Sequence, residues 1–126
     1  MARKPEVLAV ALAAYFAASL LHFAHNAEFA ADYPNLPASL TAGKIYGAWL
    51  GITAVGAFGG LLLWKGHTRT GLAILALYAA QGFDGLFHYH LAPMASHTAM
   101  MNFTIWFEVA MAAVLLTALA LQGNRS

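Results

Sequence analysis

Six histidines dominate the residues of this chain that could do chemistry. His22 and His25 precede Glu28 at intervals of three residues, so neighbours in this series share one face of a helix. Asp84 and His88 are four residues apart and share a face in the same way. Imidazoles and carboxylates without thiolates form a ligand set for zinc, copper, iron or manganese, and they also serve as general acids and bases.

A second polar stripe begins at His97. Met101, Thr104 and Glu108 follow it at four, seven and eleven residues, which places all four on one helix face. At 1.5 Å per residue Glu108 lies about 16 Å from His97, close to the midplane of a bilayer. A charge at that depth costs roughly 2.5–3.5 kcal/mol, so Glu108 is expected to be neutral or paired, with Thr53 as a candidate partner. A structural lock between helices and a role in proton handling both fit this position.

The composition restricts the class of protein. Of the 126 residues, 61% are hydrophobic and 9% are charged, and the mean hydropathy is +0.65. A chain this small exposes much of its surface, so such an excess of apolar residues excludes a soluble monomer. The formal charge of +1 offers no basic field for nucleic acid. The absence of cysteine excludes disulfides, thiolate metal sites and iron–sulfur clusters.

Four apolar segments are long enough to cross about 30 Å of hydrocarbon. Connectors with proline or basic residues separate them, which predicts an all-α integral membrane four-helix bundle in a single domain, residues 1–126. The first segment could also be a signal peptide, but its length and the lack of a small-residue cleavage site favour retention. The predicted spans are residues 6–27, 43–64, 70–90 and 97–121.

Basic residues predict the orientation of the bundle. With four spans, five of the six lie on one side and only Lys44 lies on the other. The N- and C-termini are therefore predicted to be cytoplasmic, in a multi-pass protein of the inner (cytoplasmic) membrane. Every histidine except His67 then lies at the outward, periplasmic end. The five basic residues predicted to be cytoplasmic are Arg3, Lys4, Lys65, Arg69 and Arg125.

Small residues recur at the four-residue spacing that allows helices to approach closely in a bilayer. We predict that they pack helices one and two together within one protomer, while an oligomer stays open. The residues are Gly43, Gly47, Gly51, Gly56 and Gly60 on helix two, and Ala9, Ala13 and Ala17 on helix one.

The first functional hypothesis is a transition-metal site at the outward end of the bundle. Nearby Met94, Met100 and Met101 favour copper, because thioethers are soft ligands, while zinc or iron stays open. Such a site would handle the metal or use it to oxidise a lipophilic substrate. Glu108 and Asp84 are the predicted catalytic residues. The predicted metal ligands are His22, His25, Glu28, His88, His90 and His97.

Three other functions fit the same residues. A b-type haem protein would use two histidines of facing helices as axial ligands. A metal-free, isomerase-like enzyme would use the acids and histidines as acid and base on a sterol, a quinone or a terpenoid. An accessory subunit would use its polar residues to dock a larger membrane complex. The expected partners are therefore the lipid bilayer together with a lipophilic substrate or a larger complex, and no nucleic acid.

Overall fold

A computed structural model describes residues 3–124, with side chains from residue 5 onward. This part of the chain is helical without strands, and four of its helices are long and apolar enough to cross a membrane. The prediction of an all-α chain with four membrane-length helices is confirmed. The side chains of Arg3, Lys4 and Arg125, on which the predicted orientation partly depends, lie outside the described residues.

Five α-helices build these four spans, because the third span is interrupted. A 3-10 segment, Gln81–Phe87, joins two α-helices into one continuous span, Thr68–Leu91. Short 3-10 turns, Ala30–Asp32 and Met94–Ser96, lie in the connectors before and after the middle spans. The α-helices are α1 (Arg3–Glu28), α2 (Ala42–Trp64), α3 (Thr68–Ala80), α4 (His88–Leu91) and α5 (Ala99–Gly123).

Local sequence explains where the helices begin and turn. The hydroxyl of Thr41 accepts a hydrogen bond from the backbone N–H of Lys44 and caps α2. Thr98 caps α5 by accepting from the backbone N–H of Met101, so this helix starts two residues later than the predicted span. The tight turn between α2 and α3 uses Gly66 at a φ of +90°, which a side chain would disfavour.

The helices pack in a ring. α1 packs against α2 and α5, and α3 packs against the same two helices, so α2 and α5 lie on opposite sides. Across the centre, the Tyr15 hydroxyl donates to the carbonyl of Tyr78 at 3.1 Å. The buried apolar core contains Leu8, Ala11, Tyr15, Leu75, Tyr78, Ala79, Ala112, Leu115, Ala118 and Leu119.

Four of the five predicted glycines of α2 do not pack inside the protomer. A Cβ built on Gly43, Gly47, Gly51 or Gly60 would meet nothing within 4 Å, and Ala9, Ala13 and Ala17 of α1 are exposed. These positions face away from the ring of helices. Gly56 is the predicted glycine that does pack closely, against the Tyr78 ring, and Gly59, which was not predicted, lies against Leu75.

The 3-10 segment brings the third span unusually close to its neighbours. A Cβ on Gly82 would lie 2.6 Å from both Tyr15 Cε1 and Ala112 Cβ. Only glycine therefore allows this contact with α1 and α5. A short 3-10 stretch within an α-helical span is a frequent feature of functional regions. Here it carries Asp84 and Gly85 to the polar part of the bundle.

Candidate functional site

Polar residues gather at the end of the bundle where α1 and α4 finish and α5 begins, which we call the histidine end. His22, His88 and His97 are all buried there. The ring centroids of His22 and His88 are 5.6 Å apart, and those of His88 and His97 are 6.2 Å apart. These three imidazoles, which the sequence analysis expected at one end of the bundle, therefore lie close together.

The hydrogen bonds of Thr104 determine which nitrogen of His22 carries the proton. The Thr104 hydroxyl donates to the carbonyl of Met101 at 3.1 Å, so its single proton is used. It must then accept from His22 Nδ1, which lies 3.3 Å away. The neutral imidazole of His22 consequently has a free lone pair on Nε2. That nitrogen lies 4.0 Å from Glu108 Oε1.

Glu108 is almost completely buried, with a residual exposure of 1%, and neither carboxyl oxygen has a hydrogen-bond partner. Among the described residues, the basic group paired with this carboxyl is His22, whose Nε2 lies 4.0 Å from Glu108 Oε1. The expected partner Thr53 does not contact Glu108, and its own hydroxyl lacks a partner. The reason is that Thr53 lies on α2, on the opposite side of the ring from α5. An acid in this position is most stable with its proton attached.

Gly85 lies directly over the His22 and Glu108 pair. A Cβ built on Gly85 would be 3.3 Å from His22 Nε2 and 3.6 Å from Glu108 Oε1. Any side chain at this position would therefore pack directly against the reactive atoms of both residues, which are buried. This is the one place in the site where a glycine provides close approach to ionisable groups.

Tyr33 occupies the centre of the histidine end, although it belongs to the connector between α1 and α2. Its ring is buried and lies 4.8 Å from that of His88 and 6.5 Å from that of His97. Its hydroxyl is 2.7 Å from His25 Nδ1. Burial raises the pKa of Tyr33 to about 12. The phenol therefore keeps its proton at neutral pH.

The connector reaches this position because it is tied back onto the bundle. Asn35 adopts a positive φ of 58°, a conformation that asparagine tolerates better than most residues. Its side-chain amide donates to the carbonyl of Leu91 at the end of α4, at 2.8 Å. This bond holds the connector over the histidine end and directs Tyr33 inward.

The two remaining buried histidines are held by single hydrogen bonds. His97 Nδ1 donates to the carbonyl of Pro93 at 2.9 Å, which leaves Nε2 as a buried lone pair with no partner. His88 Nε2 lies 3.2 Å from Asn26 Nδ2, and its Nδ1 has no partner. Each ring is therefore held by a hydrogen bond at one nitrogen, while its other nitrogen has no hydrogen-bond partner.

A cavity of about 370 Å³ opens between α1, α2 and the third span beside this cluster. His22, Asn26, Asp84 and His88 provide its polar groups, and Gly85 forms part of the same wall. Ser39 is a fifth polar lining residue, and the rest of the lining is apolar. An apolar cavity of this size with a few polar groups at one end is typical of a small-molecule site. The apolar lining residues are Phe23, Leu36, Pro37, Leu40, Ala48, Ile52 and Phe87.

Some predicted site residues lie away from the cluster. Glu28 is exposed and accepts a hydrogen bond from the Tyr46 hydroxyl at 2.8 Å. His90 is exposed, with its ring 5.9 Å from Phe87, because it points away from His88 on the short α4 helix. His25 is bonded to Tyr33. Within residues 3–124, no three His, Asp or Glu side chains are placed to hold a metal ion together.

The sequence interpretation missed two residues of the site. Tyr33 lies in a connector, where no helical spacing indicates a direction for its side chain. Asn26 sits between His25 and Glu28, and a buried amide next to two candidate ligands was a signal that could have been used. Both are polar residues that make hydrogen bonds to histidines.

Comparison of the chain with protein families, curated proteins and solved structures finds no match. The residues of the site therefore carry the functional argument.

Proposed function

We propose that this chain is a multi-pass protein of the inner membrane, with cytoplasmic termini, that binds an apolar molecule and catalyses proton transfer on it. His22 and Glu108 exchange protons with the bound molecule, and Asp84 supplies a second carboxylate at the cavity wall. The observation that carries this proposal is that His22 and Gly85 line the cavity while the buried Glu108 Oε1 lies 4.0 Å from His22 Nε2, next to Gly85.

The pair has the two groups that an isomerisation requires. The lone pair of His22 Nε2 accepts a proton from a carbon of the substrate, and the carboxylic acid of Glu108 donates its proton to another atom. The bond electrons shift between these atoms, so the product has the same composition as the substrate. The resulting imidazolium and carboxylate lie about 4.0 Å apart, and transfer of one proton between them restores the starting state.

The cavity walls indicate the class of substrate. Leu36, Ile52 and Phe87 offer an apolar surface, while Asp84 and Asn26 can bind a polar group at one end. A sterol, a quinone or a terpenoid with one oxygen function has this distribution of polarity. Such a molecule partitions into the bilayer and reaches the cavity from the lipid.

A larger groove of about 740 Å³ is a weaker candidate for the site. It runs between α1 and α5, with Val7, Val10, Val114 and Leu121 among its lining residues. Acyl chains of the surrounding lipid suit such an apolar surface. The groove contains no histidine, so it offers no comparable acid and base pair.

Bound ligands provide the first test. Protein purified in native lipid nanodiscs is extracted, and its apolar compounds are identified by mass spectrometry. We expect one sterol, quinone or terpenoid to be enriched over bulk lipid, and to be lost in Ile52→Trp, which fills the cavity. Leu50→Trp is the matched control, because Leu50 is 62% exposed on the same helix. Equal lipid composition in all three proteins would contradict the proposal.

Conversion is the second readout of the same test. With the enriched compound class as substrate, we expect the wild-type protein to produce an isomer of equal mass. Glu108→Gln should fold normally but lower the rate by about 10²–10⁴-fold, since it removes the acid and keeps the shape. Gly85→Ala should also be slow because its methyl group covers His22 Nε2. Full activity of Glu108→Gln would exclude the acid role.

The metal-site hypothesis stays a prediction and has its own measurement. If a metal occupies the histidine end, elemental analysis of purified protein should show a stoichiometric transition metal that is lost in both His22→Ala and His88→Ala. A haem would instead give a Soret absorption band. Metal content that is indifferent to both substitutions, without a Soret band, would exclude these two hypotheses.

A further inference from the structure

A second space adjoins the cavity of the histidine end. It is a groove of about 460 Å³ between α2 and the third span, with Gly51 and Gln81 among its lining residues. Ala48 and Ile52 line both spaces, so the groove continues the cavity along α2. A Cβ built on Gly51 would meet nothing within 4 Å, which leaves room for a bound molecule next to the helix backbone.

The 3-10 segment forms the opposite wall of both spaces. In a 3-10 helix, side chains three residues apart eclipse each other, and one such turn rises about 6 Å. Gln81, Asp84 and Phe87 have this spacing, and all three are exposed. Gln81 lines the groove, whereas Asp84 and Phe87 line the cavity. The 3-10 geometry therefore aligns the amide of Gln81 with the carboxyl group of Asp84, one turn apart, across the junction of the two spaces.

The amide of Gln81 lacks a partner at a depth where a bilayer contains no water. Gln81 lies near the middle of the 24-residue span Thr68–Leu91. Its side chain makes no hydrogen bond within residues 3–124. An amide that meets only hydrocarbon is costly, and the acyl chains of bulk lipid offer it nothing to bond. An oxygen function on a molecule in the groove would satisfy it.

We propose that the cavity and the groove form one elongated site for an apolar molecule with two hydroxyl-type oxygens, one bound by Asp84 and the other by Gln81. The inference rests on the proposed function in that it concerns the same bound molecule. It specifies two oxygen functions where the cavity alone required one, and it selects the quinone class in its reduced, quinol form. A quinol has hydroxyls on opposite sides of one ring, a separation of the same order as one 3-10 turn.

Hydroxyl groups suit both polar residues of this wall. A hydroxyl can donate to a carboxyl oxygen of Asp84, and the amide of Gln81 can both donate to a hydroxyl and accept from one. The ring would lie at the junction, next to Ile52. Val55 and Leu77 provide an apolar surface further along the groove for a chain attached to the ring.

Binding of two matched probes tests this site. The para-diol of naphthalene has two hydroxyls across one ring, and naphthol has one. Both are titrated by calorimetry, without oxygen, into the protein in nanodiscs, and the heat of empty nanodiscs is subtracted. We expect the wild type to bind the diol about five- to tenfold more tightly, which is the gain from one further hydrogen bond. Gln81→Leu should lose this preference and bind both probes as the wild type binds naphthol.

A second pair of variants tests whether the groove is occupied. Gly51→Leu fills the groove and should weaken binding of the diol about tenfold. Gly47→Leu is the matched control, because Gly47 lies one turn away on α2, is equally open and lines neither space. It should bind the diol as the wild type does.

Equal affinity of the wild type for the two probes, or a preference for the diol that survives Gln81→Leu, would overturn the inference. Equal effects of Gly51→Leu and Gly47→Leu would overturn it as well. Isomerase activity that depends on Glu108, without a preference for the diol, would remove this inference and leave the proposed function standing. A preference for the diol that Gln81→Leu removes, without any conversion, would support the elongated site and count against the proposed function.

Discussion

Replacement of Gly82 by valine should be the most damaging single substitution in the third span. The first atom of any side chain there would lie 2.6 Å from both Tyr15 and Ala112. Tyr15 is fully buried and its hydroxyl is bonded to the Tyr78 carbonyl, so it cannot move aside freely. Overpacking of this kind costs about 1–3 kcal/mol, and a branched side chain against two helices should reach the upper end or exceed it.

Reversible unfolding in mixed micelles, followed by circular dichroism, measures this loss. Gly47→Val is the matched control, since a Cβ at Gly47 meets nothing within 4 Å and the substitution should change stability little. The milder Gly82→Ala should be partly rescued by Ala112→Gly, which removes one of the two atoms in conflict. Equal stability of the Gly82 and Gly47 variants would show that the third span does not approach α1 and α5 as described.

The sequence was sufficient to predict the helical spans, because each apolar segment is long enough to cross a bilayer and each connector contains a helix-breaking or capping residue. The position of Glu108 followed from helical spacing alone. Thr104 and Glu108 lie on one face of α5 and are both buried; His97 is buried too, although it precedes the helix. Periodicity is reliable here because α5 is a single uninterrupted helix.

The interruption of the third span could not be predicted in the same way. Gly82 and Gly85 lower helix propensity, but glycines of α2 do so without breaking that helix. What decides the outcome is the contact of Gly82 with Tyr15 and Ala112, which depends on the position of two other helices. Tertiary contact therefore determines this local structure, and spacing within the segment carries no information about it.

The glycine stripe of α2 is a second feature for which spacing within the sequence was not sufficient. Its spacing is suited to close helix contact, but spacing does not reveal which face of a helix meets its neighbours. Gly56 and Gly59 face α3, whereas Gly43 and Gly47 face outward. In a soluble protein an apolar face would indicate the core, but in a lipid environment both faces of a helix are apolar. The hydrophobicity of a face therefore does not identify the buried side of such a helix.

Substitution of Glu108 by methionine should stabilise the protein while it removes the proposed activity. Methionine has a similar shape and fits a buried apolar site. The carboxyl it replaces is 1% exposed and has no hydrogen-bond partner. A buried polar group without a partner costs about 1–3 kcal/mol in proteins, and the gain in unfolding free energy should fall in this range.

The comparison of Glu108→Met with Glu108→Gln separates the two roles considered for this residue. A neutral acid that locks helices together would contribute to stability, so methionine would lower the free energy of unfolding. An acid retained for proton transfer has no such structural benefit, and methionine would raise that free energy. Glutamine keeps an unpartnered polar group and should stay close to the wild type. Reversible unfolding of the three proteins in the same micelles gives the sign.

A stabilising effect of Glu108→Met would agree with the other unpaired polar groups of the site. His88 Nδ1 and His97 Nε2 are also buried without partners, and each such group costs stability. Proteins tolerate several unpaired polar groups in one place mainly where a ligand or a reaction uses them. If Glu108→Met instead destabilises the protein, the polar cluster is a structural network, and the proposed proton chemistry loses its central residue.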